Sequence, residues 1–339
     1  MSRKLASIRT VSEVRTILNA DAIELALVDG WQCVAKKGEF QPGDRCVYFE
    51  IDSVLPVRPE YEFLRKGCYR KAEWLPGGEG FRIKTIKLRG QISQGLALPV
   101  GSLGSLDALA AGELEDITEA LGVSLWDPPV HASMRGQVRG NFPSFIPKTD
   151  QERAQNCLRK LAESHSDHLF EATLKVDGSS CTIFAKDGFV RVCSRNLELD
   201  MDQEGNTFVD MARKVGPAIL SAGRNLAFQG ELMGPGIQGN REGFTEHRWF
   251  VFDVWDIDAQ RYLSSGERMD VVVGLGLDHV PSLGHIPAAA EPLDVLLARS
   301  DAQESIRHAI AEGIVYKSVI DPSVSFKVIS NRFLLNCET

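Results

Sequence analysis

Two kinds of periodicity alternate along the chain. Through the first hundred residues apolar positions recur in short alternating or β-branched runs: ALVDGWQCVA, DRCVYFEIDSVLPV and FRIKTIKLRG. The turn formers KKGEFQPGD and PGGEG separate them, so the pattern predicts a strand-rich unit. Helical spacing then appears in LDALAAGELEDITEALG, ending at Gly122, before the proline-rich WDPPVH, which predicts a linker. FPSFIPKTDQERAQNCLRKLAES predicts a second helix, with Thr149 as its N-cap and Glu152 as capping-box partner. From residue 169 strands return in LFEATLKV, SSCTIFA and FVRVCS, then in NLAFQGELM, RWFVFDVWDI, GIVYKSV and VSFKVI. Lys186-Asp187-Gly188 predicts a tight hairpin between two of them. Helices are expected near TFVDMARKVGPAIL and across PLDVLLARSDAQESIRHAIAEG. The expectation is an α+β protein. Residues 1–125 form a β-rich module with an acidic linker, and 140–339 a mainly antiparallel α+β domain.

Composition sharpens this picture in one respect. The chain has 339 residues, 43% of them hydrophobic, which is ample for two cores. Its net charge of −8 advertises no polyanion partner, yet the charge is uneven. Residues 1–100 carry 16 Lys/Arg against 12 Asp/Glu, whereas no lysine or arginine stands between Gly90 and Met134. In FRIKTIKLRG, Arg82, Lys84, Lys87 and Arg89 alternate with apolar residues. A small barrel of the OB type would use such a strand to touch a phosphate backbone. The plainer alternative is a solvated strand face.

Seven cysteines without a CxxC argue against a disulfide framework and a zinc site. His165 and His168 lack a third ligand nearby and read as surface residues. No signal core and no membrane-length apolar run is present, so a cytoplasmic protein without membrane contact is expected.

The chemistry centres on KVDG, residues 175–178. Lys175 is either a solvated lysine before a hairpin turn or a nucleophile. A lysine nucleophile must lose its proton near neutral pH, and a leaving group's charge must be neutralised. On a phosphate this calls for a divalent metal, with carboxylates around the metal rather than the amine. KVDG is followed in order by Ser194-Arg195-Asn196, QGELMG with Glu231, and WFVFDVWD with Phe252 and Asp253. EGIVYK with Glu312 and Lys317 comes next, then SFKVIS with Lys327. Each lies at or beside the end of an expected strand. Gly234 to Gly239 also matches GxGxxG, but Pro235 and NREGF give no phosphate-binding helix, so a dinucleotide site is not expected.

This ordered set resembles the motifs of the covalent nucleotidyltransferases: RNA ligases, DNA ligases and mRNA capping enzymes. The resemblance is closest to ATP-dependent RNA ligases with an N-terminal OB-like module and no C-terminal domain. A β-rich module precedes the motifs, FIPKTDQER resembles the RNA-ligase approach segment, and only 12 residues follow Lys327.

The resemblance implies a nucleotidyltransferase domain that seals RNA 3′-OH and 5′-phosphate ends or nicks, using ATP and Mg²⁺ or Mn²⁺, in a monomer. It implies that Lys175 carries AMP, that Arg195 and Asn196 contact phosphate and ribose, that Glu231 accepts from the ribose, and that Phe252 stacks on adenine. Asp177 and Glu312 would hold the metal. Lys317 and Lys327 would stabilise charge developing at the α-phosphate, and Lys148 and Arg153 would reach the triphosphate or the 5′-phosphate. Two departures stand out. Leu174 replaces a glutamate that some RNA ligases aim at adenine, and Ser325 replaces the first lysine of a Lys-x-Lys pair. The alternatives are an mRNA guanylyltransferase, a minimal DNA ligase, or a nucleic-acid-binding protein with a degenerate catalytic domain.

Overall fold

The computed structural model describes residues 4–18, 20–103, 115–126 and 138–337. They group into one unit made of residues 1–130 with Leu334 onward, and a second of residues 131–333. Leu334 to Cys337 group with the first unit. There Lys87 Nζ donates to the Leu335 carbonyl at 3.5 Å.

In the first unit, five antiparallel strands run in the order Leu96–Pro99, Arg45–Phe49, Ala6–Thr16, Ile23–Val28, Trp31–Lys36. The sequence reading did not pick out Ala6–Thr16, the strand that organises the sheet. Its first half pairs with Arg45–Phe49 and its second with Ile23–Val28, across a bulge at Val11–Glu13. A bulge bends a strand and raises its twist, so the sheet curls. Trp31–Lys36 is thereby brought to Gln91–Gln94, where the Val34 N–H donates to Ser93 Oγ at 2.9 Å and Tyr48 to the Gln94 carbonyl at 2.9 Å. Ile8, Val47, Phe49, Leu55, Tyr61 and Phe81 fill the larger of its two cores.

FRIKTIKLRG does not form one basic strand. It splits into Glu79–Arg82 and the hairpin strand Thr85–Leu88. Arg82 is committed to Asp52 at 2.6 Å and lies 4.7 Å over the Trp126 ring, while Lys84, Lys87 and Arg89 remain exposed. The expected helix before Gly122 is also absent where it is described. Asp116 bridges to Ser7, and residues 118–122 are turns. The Asp116 carboxylate accepts from the Thr118 N–H and hydroxyl, and Thr118 Oγ1 accepts from the Leu5 and Ala6 N–H groups. These bonds tie the segment to a strand edge. Its earlier part, residues 104–114, lies outside the described residues, as does residues 127–137 of the expected linker.

The second unit is built from two mainly antiparallel sheets. One contains Ser179–Lys186, Leu226–Met233 and Arg248–Asp256 side by side; the other contains Ser325–Ile329, Gly313–Ser318 and Phe170–Lys175. Successive strand residues point to opposite faces, and in the second sheet the two faces differ sharply. Phe170, Ala172, Ile314, Tyr316, Phe326 and Val328 form an apolar face that packs with residues of helices Ala154–His165 and Leu293–Asp301. Glu171, Thr173, Lys175, Lys317 and Lys327 occupy the opposite face.

The Lys186-Asp187-Gly188 hairpin forms as expected, with φ of 52° and 80° at its two central residues. Two helix expectations need correction. Thr149 caps nothing: its hydroxyl lies 3.4 Å from Ser180 Oγ, and Glu152–Arg153 pairs in parallel with Phe326 and Lys327 before the helix begins at Ala154. The helix from Leu293 stops at Asp301. Beyond it, buried Glu242 accepts from the Ser305 hydroxyl and, at 2.5 Å, from the Arg307 N–H, which holds that stretch out of helical geometry.

Candidate active site

Lys175 ends its strand opposite Gly313, and the register places Glu312 beside it. Lys175 Nζ donates to Glu312 Oε2 at 2.6 Å; the two side chains are 23% and 18% exposed. The chain can turn here because two glycines allow close approach. A Cβ on Gly178 would lie 2.5 Å from the Leu232 carbonyl oxygen and 2.9 Å from Glu231 Cγ. One on Gly313 would lie 2.2 Å from the Val328 carbonyl oxygen. Glu231 stands directly across from Ser180 on the facing sheet.

Lys175 thus meets three carboxylates. Burial pulls its ammonium pKa down, but Glu312, Glu231 and Asp177 outweigh burial and the net shift is upward. Burial and Glu312 push Asp177 up to about 6 despite Lys175. Burial also pushes Glu231 up to about 7, with Glu312 and Asp177 adding to the rise. The cluster is more acidic than its burial tolerates, and a divalent cation at Asp177 and Glu312 suits that imbalance. Among the described residues no three His, Cys, Asp or Glu side chains are placed to ligate one ion. Such a cation would use one or two carboxylates and complete its shell with water and phosphate oxygens, as magnesium commonly does.

Lys327 lies across from Val315 on one side and Arg153 on the other. Burial and the neighbouring Lys175 charge pull its pKa down to about 8. Asp150 links Lys327 Nζ, at 3.8 Å, to Arg195, at 2.7 Å. Arg195 is 68% exposed at the rim, and Asn196 beside it accepts from Lys148 Nζ at 3.0 Å. The structure therefore gathers Lys175, Asp177, Glu231 and Glu312, connects Lys327 with Arg153 and Arg195, and pairs Lys148 with Asn196.

Lys317 lies apart from the Lys175 cluster. It pairs with Glu171 across the sheet, four residues before Lys175, or roughly 13 Å along a strand. Its ammonium is buried against Asp253 and lies 5.5 Å from the Phe252 ring centroid. Lys317 thus lies deeper along the sheet than Lys175, in an ion pair with Asp253. Burial lowers its pKa, and Asp253 opposes the shift. Arg268, 1% exposed, binds Glu171 there and donates to His279 Nε2 at 3.0 Å. Sequence reading missed this ion-pair floor, together with Asp150. The available signal was Glu171, Lys175 and Lys317 falling on one face of paired strands whose other face is apolar.

The GxGxxG stretch forms a loop with a 3₁₀ turn at Gln238–Asn240 rather than a phosphate-binding helix. His165 contacts Ser164 at 2.6 Å, and His168 contacts Ser318 Oγ at 2.9 Å. Among the described residues no helix is long and apolar enough to cross a membrane.

Comparison with known proteins agrees with this geometry. Residues 5–100 match an OB-fold domain family and residues 169–329 match the RNA ligase family. No curated protein sequence matches the chain. Among solved structures, Naegleria gruberi RNA ligase with PPi is 41% identical, with a TM-score of 0.82 and 98% of both chains covered. A mutant of that ligase with AMP and Mn is 41% identical, and another with ATP and Mn is 40% identical. Each has a TM-score of 0.83 and 98% coverage of both chains. A pocket built around the lysine of KVDG, an OB-fold domain ahead of it, and likeness along nearly the whole chain lead to one assignment: the protein belongs to the RNA ligase family.

Proposed function

We infer that this chain joins RNA ends at the expense of ATP, with Lys175 as the covalent carrier of AMP. The observation that carries the reading is Lys175 at a strand end, 2.6 Å from Glu312, with Glu231 and Asp177 around it. The relatives' AMP, ATP and Mn complexes support the choice of nucleotide and metal. The chain is an ATP-dependent RNA ligase, and its reaction consists of three transfers. Lys175 loses a proton and its lone pair attacks the ATP α-phosphorus; the bond to the bridging oxygen breaks and pyrophosphate leaves. A 5′-phosphate oxygen then attacks that phosphorus, and the P–N electron pair returns to the amine. Last, a 3′-hydroxyl loses its proton and attacks the adenylylated 5′-phosphate, and AMP leaves.

The residues divide this work by position. Glu231, whose carboxyl burial pushes up to about 7, is placed to accept from a ribose hydroxyl. Phe252 offers its ring to the adenine. Lys327, flanked by Arg153, balances charge on the α-phosphate oxygens. Lys148, Arg195 and Asn196 form a rim suited to phosphates. A divalent Mg²⁺ or Mn²⁺ at Glu312 and Asp177 would draw carboxylate charge away from Lys175 and favour its neutral amine.

The Lys327 shift gives a pH signature. A charged Lys327 is the active form, so kcat/KM for adenylylation should fall as pH rises through about 8. That parameter reports groups of the free enzyme. Lys327→Arg stays charged, because guanidinium does not titrate in this range. It should move the alkaline fall upward, whatever it does to the maximal rate. An unchanged alkaline limb in Lys327→Arg would remove Lys327 from this role.

We assign the grip on RNA to the first unit, with its exposed Lys84, Lys87 and Arg89, and the chemistry to the second. Lys84→Ala with Lys87→Ala should weaken binding of nicked RNA duplex and make the salt dependence shallower by about one to two phosphate contacts, while sparing adenylylation. Binding isotherms across a salt series test this; an unchanged slope counts against it. The same reading takes the protein as a monomer in a reducing, cytoplasmic setting, where Cys33, Cys46, Cys68, Cys157, Cys181 and Cys193, all free, would persist.

A further inference from the structure

The residues of the two sheets that share the Lys175 side lie at three levels. At the rim, Lys175 and Gly313 face Glu231. One step deeper, Thr173 and Val315 form a pair on the Lys175 sheet, and Phe252 occupies the bulge of the facing strand. At the floor, Glu171 and Lys317 meet Asp253, which pairs in register with Gln229.

Two floor acceptors stand out among the described residues. Gln229 is 0% exposed; its Nε2 donates to the Pro147 carbonyl at 2.7 Å, but its Oε1 has no hydrogen-bond partner. Asp253 is 3% exposed; its Oδ2 holds Lys317, but its Oδ1 has no hydrogen-bond partner, and Arg268 Nη1 stands 3.9 Å from it. Buried acceptors without donors are uncommon, and here two occupy one register position. The glutamate that some RNA ligases aim at adenine is Leu174 in this chain, and its side chain packs in an apolar cluster with Val176 and Phe250.

We propose that Gln229 Oε1 and Asp253 Oδ1 together read the exocyclic amino group of adenine. The inference rests on the ligase reading above, which sets the α-phosphate at Lys175 and the ribose at Glu231. A base continuing inward passes between Val315 and Phe252 and presents its far edge to the floor. An adenine amino group carries two N–H donors, one for each acceptor. The corresponding atom of guanine is a carbonyl oxygen, which would confront both acceptors with a third. Gln229 and Asp253 are in this sense specificity-determining residues.

The test compares ATP with purine riboside 5′-triphosphate, which keeps the ring and lacks only the amino group. The readout is kcat/KM for covalent labelling of the full-length protein. Wild type should prefer ATP by roughly tenfold to a hundredfold. Gln229→Met should lose most of that preference by slowing ATP much more than the analogue. The ratio of two nucleotides on one sample does not depend on how much protein is folded, so it separates recognition from a structural defect. Equal use of both nucleotides by wild type, or an undiminished ATP preference in Gln229→Met, overturns the proposal while leaving the ligase reading intact. Absence of any label from ATP in wild type would instead overturn the ligase reading.

Discussion

Lys175→Met should take up no label from ATP, where the wild-type protein retains label through denaturation. Methionine keeps the length and apolar bulk of the lysine stem, so the strand end and its pairing with Gly313 persist. What disappears is the only atom in the account able to form the phosphorus–nitrogen bond. The expected loss is complete within detection. Sealing of RNA ends that requires ATP should vanish with it, whereas sealing of a pre-adenylylated 5′ end should survive in part, because that step no longer needs the amine. GTP should leave no label on either protein, which sets the chain apart from a guanylyltransferase. Equal labelling of the methionine variant would remove Lys175 from the chemistry.

Glu312→Ala should lower adenylylation by roughly a hundredfold to a thousandfold. The substitution has two opposed effects. It removes the carboxylate 2.6 Å from Lys175, one of the groups that raise the ammonium's pKa, so the amine becomes easier to deprotonate. It also removes one of two carboxylates suited to a divalent cation. A large net loss, together with a higher metal concentration for half-maximal rate, would show that holding the cation outweighs restraining the lysine. Near-wild-type labelling with an unchanged metal requirement would take Glu312 out of the metal site.

Much of this site could be read from the chain because its key residues lie at strand ends, where short motifs record both chemistry and position. KVDG and EGIVYK each hold a glycine that the packing requires at close contact, so the motif and the local geometry have the same cause. The strands were legible for a related reason: each buries an apolar face, and alternation records that directly. The errors came where distant partners decide. Thr149 has the sequence of a helix cap, yet Glu152–Arg153 is drawn into parallel pairing with the strand bearing Lys327. Residues 302–312 continue a helical pattern, yet buried Glu242 claims the Ser305 hydroxyl and the Arg307 N–H. Lys317 stands in a motif beside Glu312, but its direction is fixed by Asp253, 64 residues earlier. Arg82 falls in a basic, alternating stretch, yet Asp52 and Trp126 hold it. Local sequence records which face a residue occupies, but not which distant charge waits there.

The claim that Lys175 becomes the carrier of AMP is tested most directly by mass spectrometry of the full-length protein after incubation with ATP and Mg²⁺ or Mn²⁺. The account predicts a single adduct with the mass of one AMP, lost on adding pyrophosphate and mapped by peptide fragmentation to Lys175. No adduct under conditions that support ATP-dependent sealing, or an adduct mapped to any other residue, would contradict it.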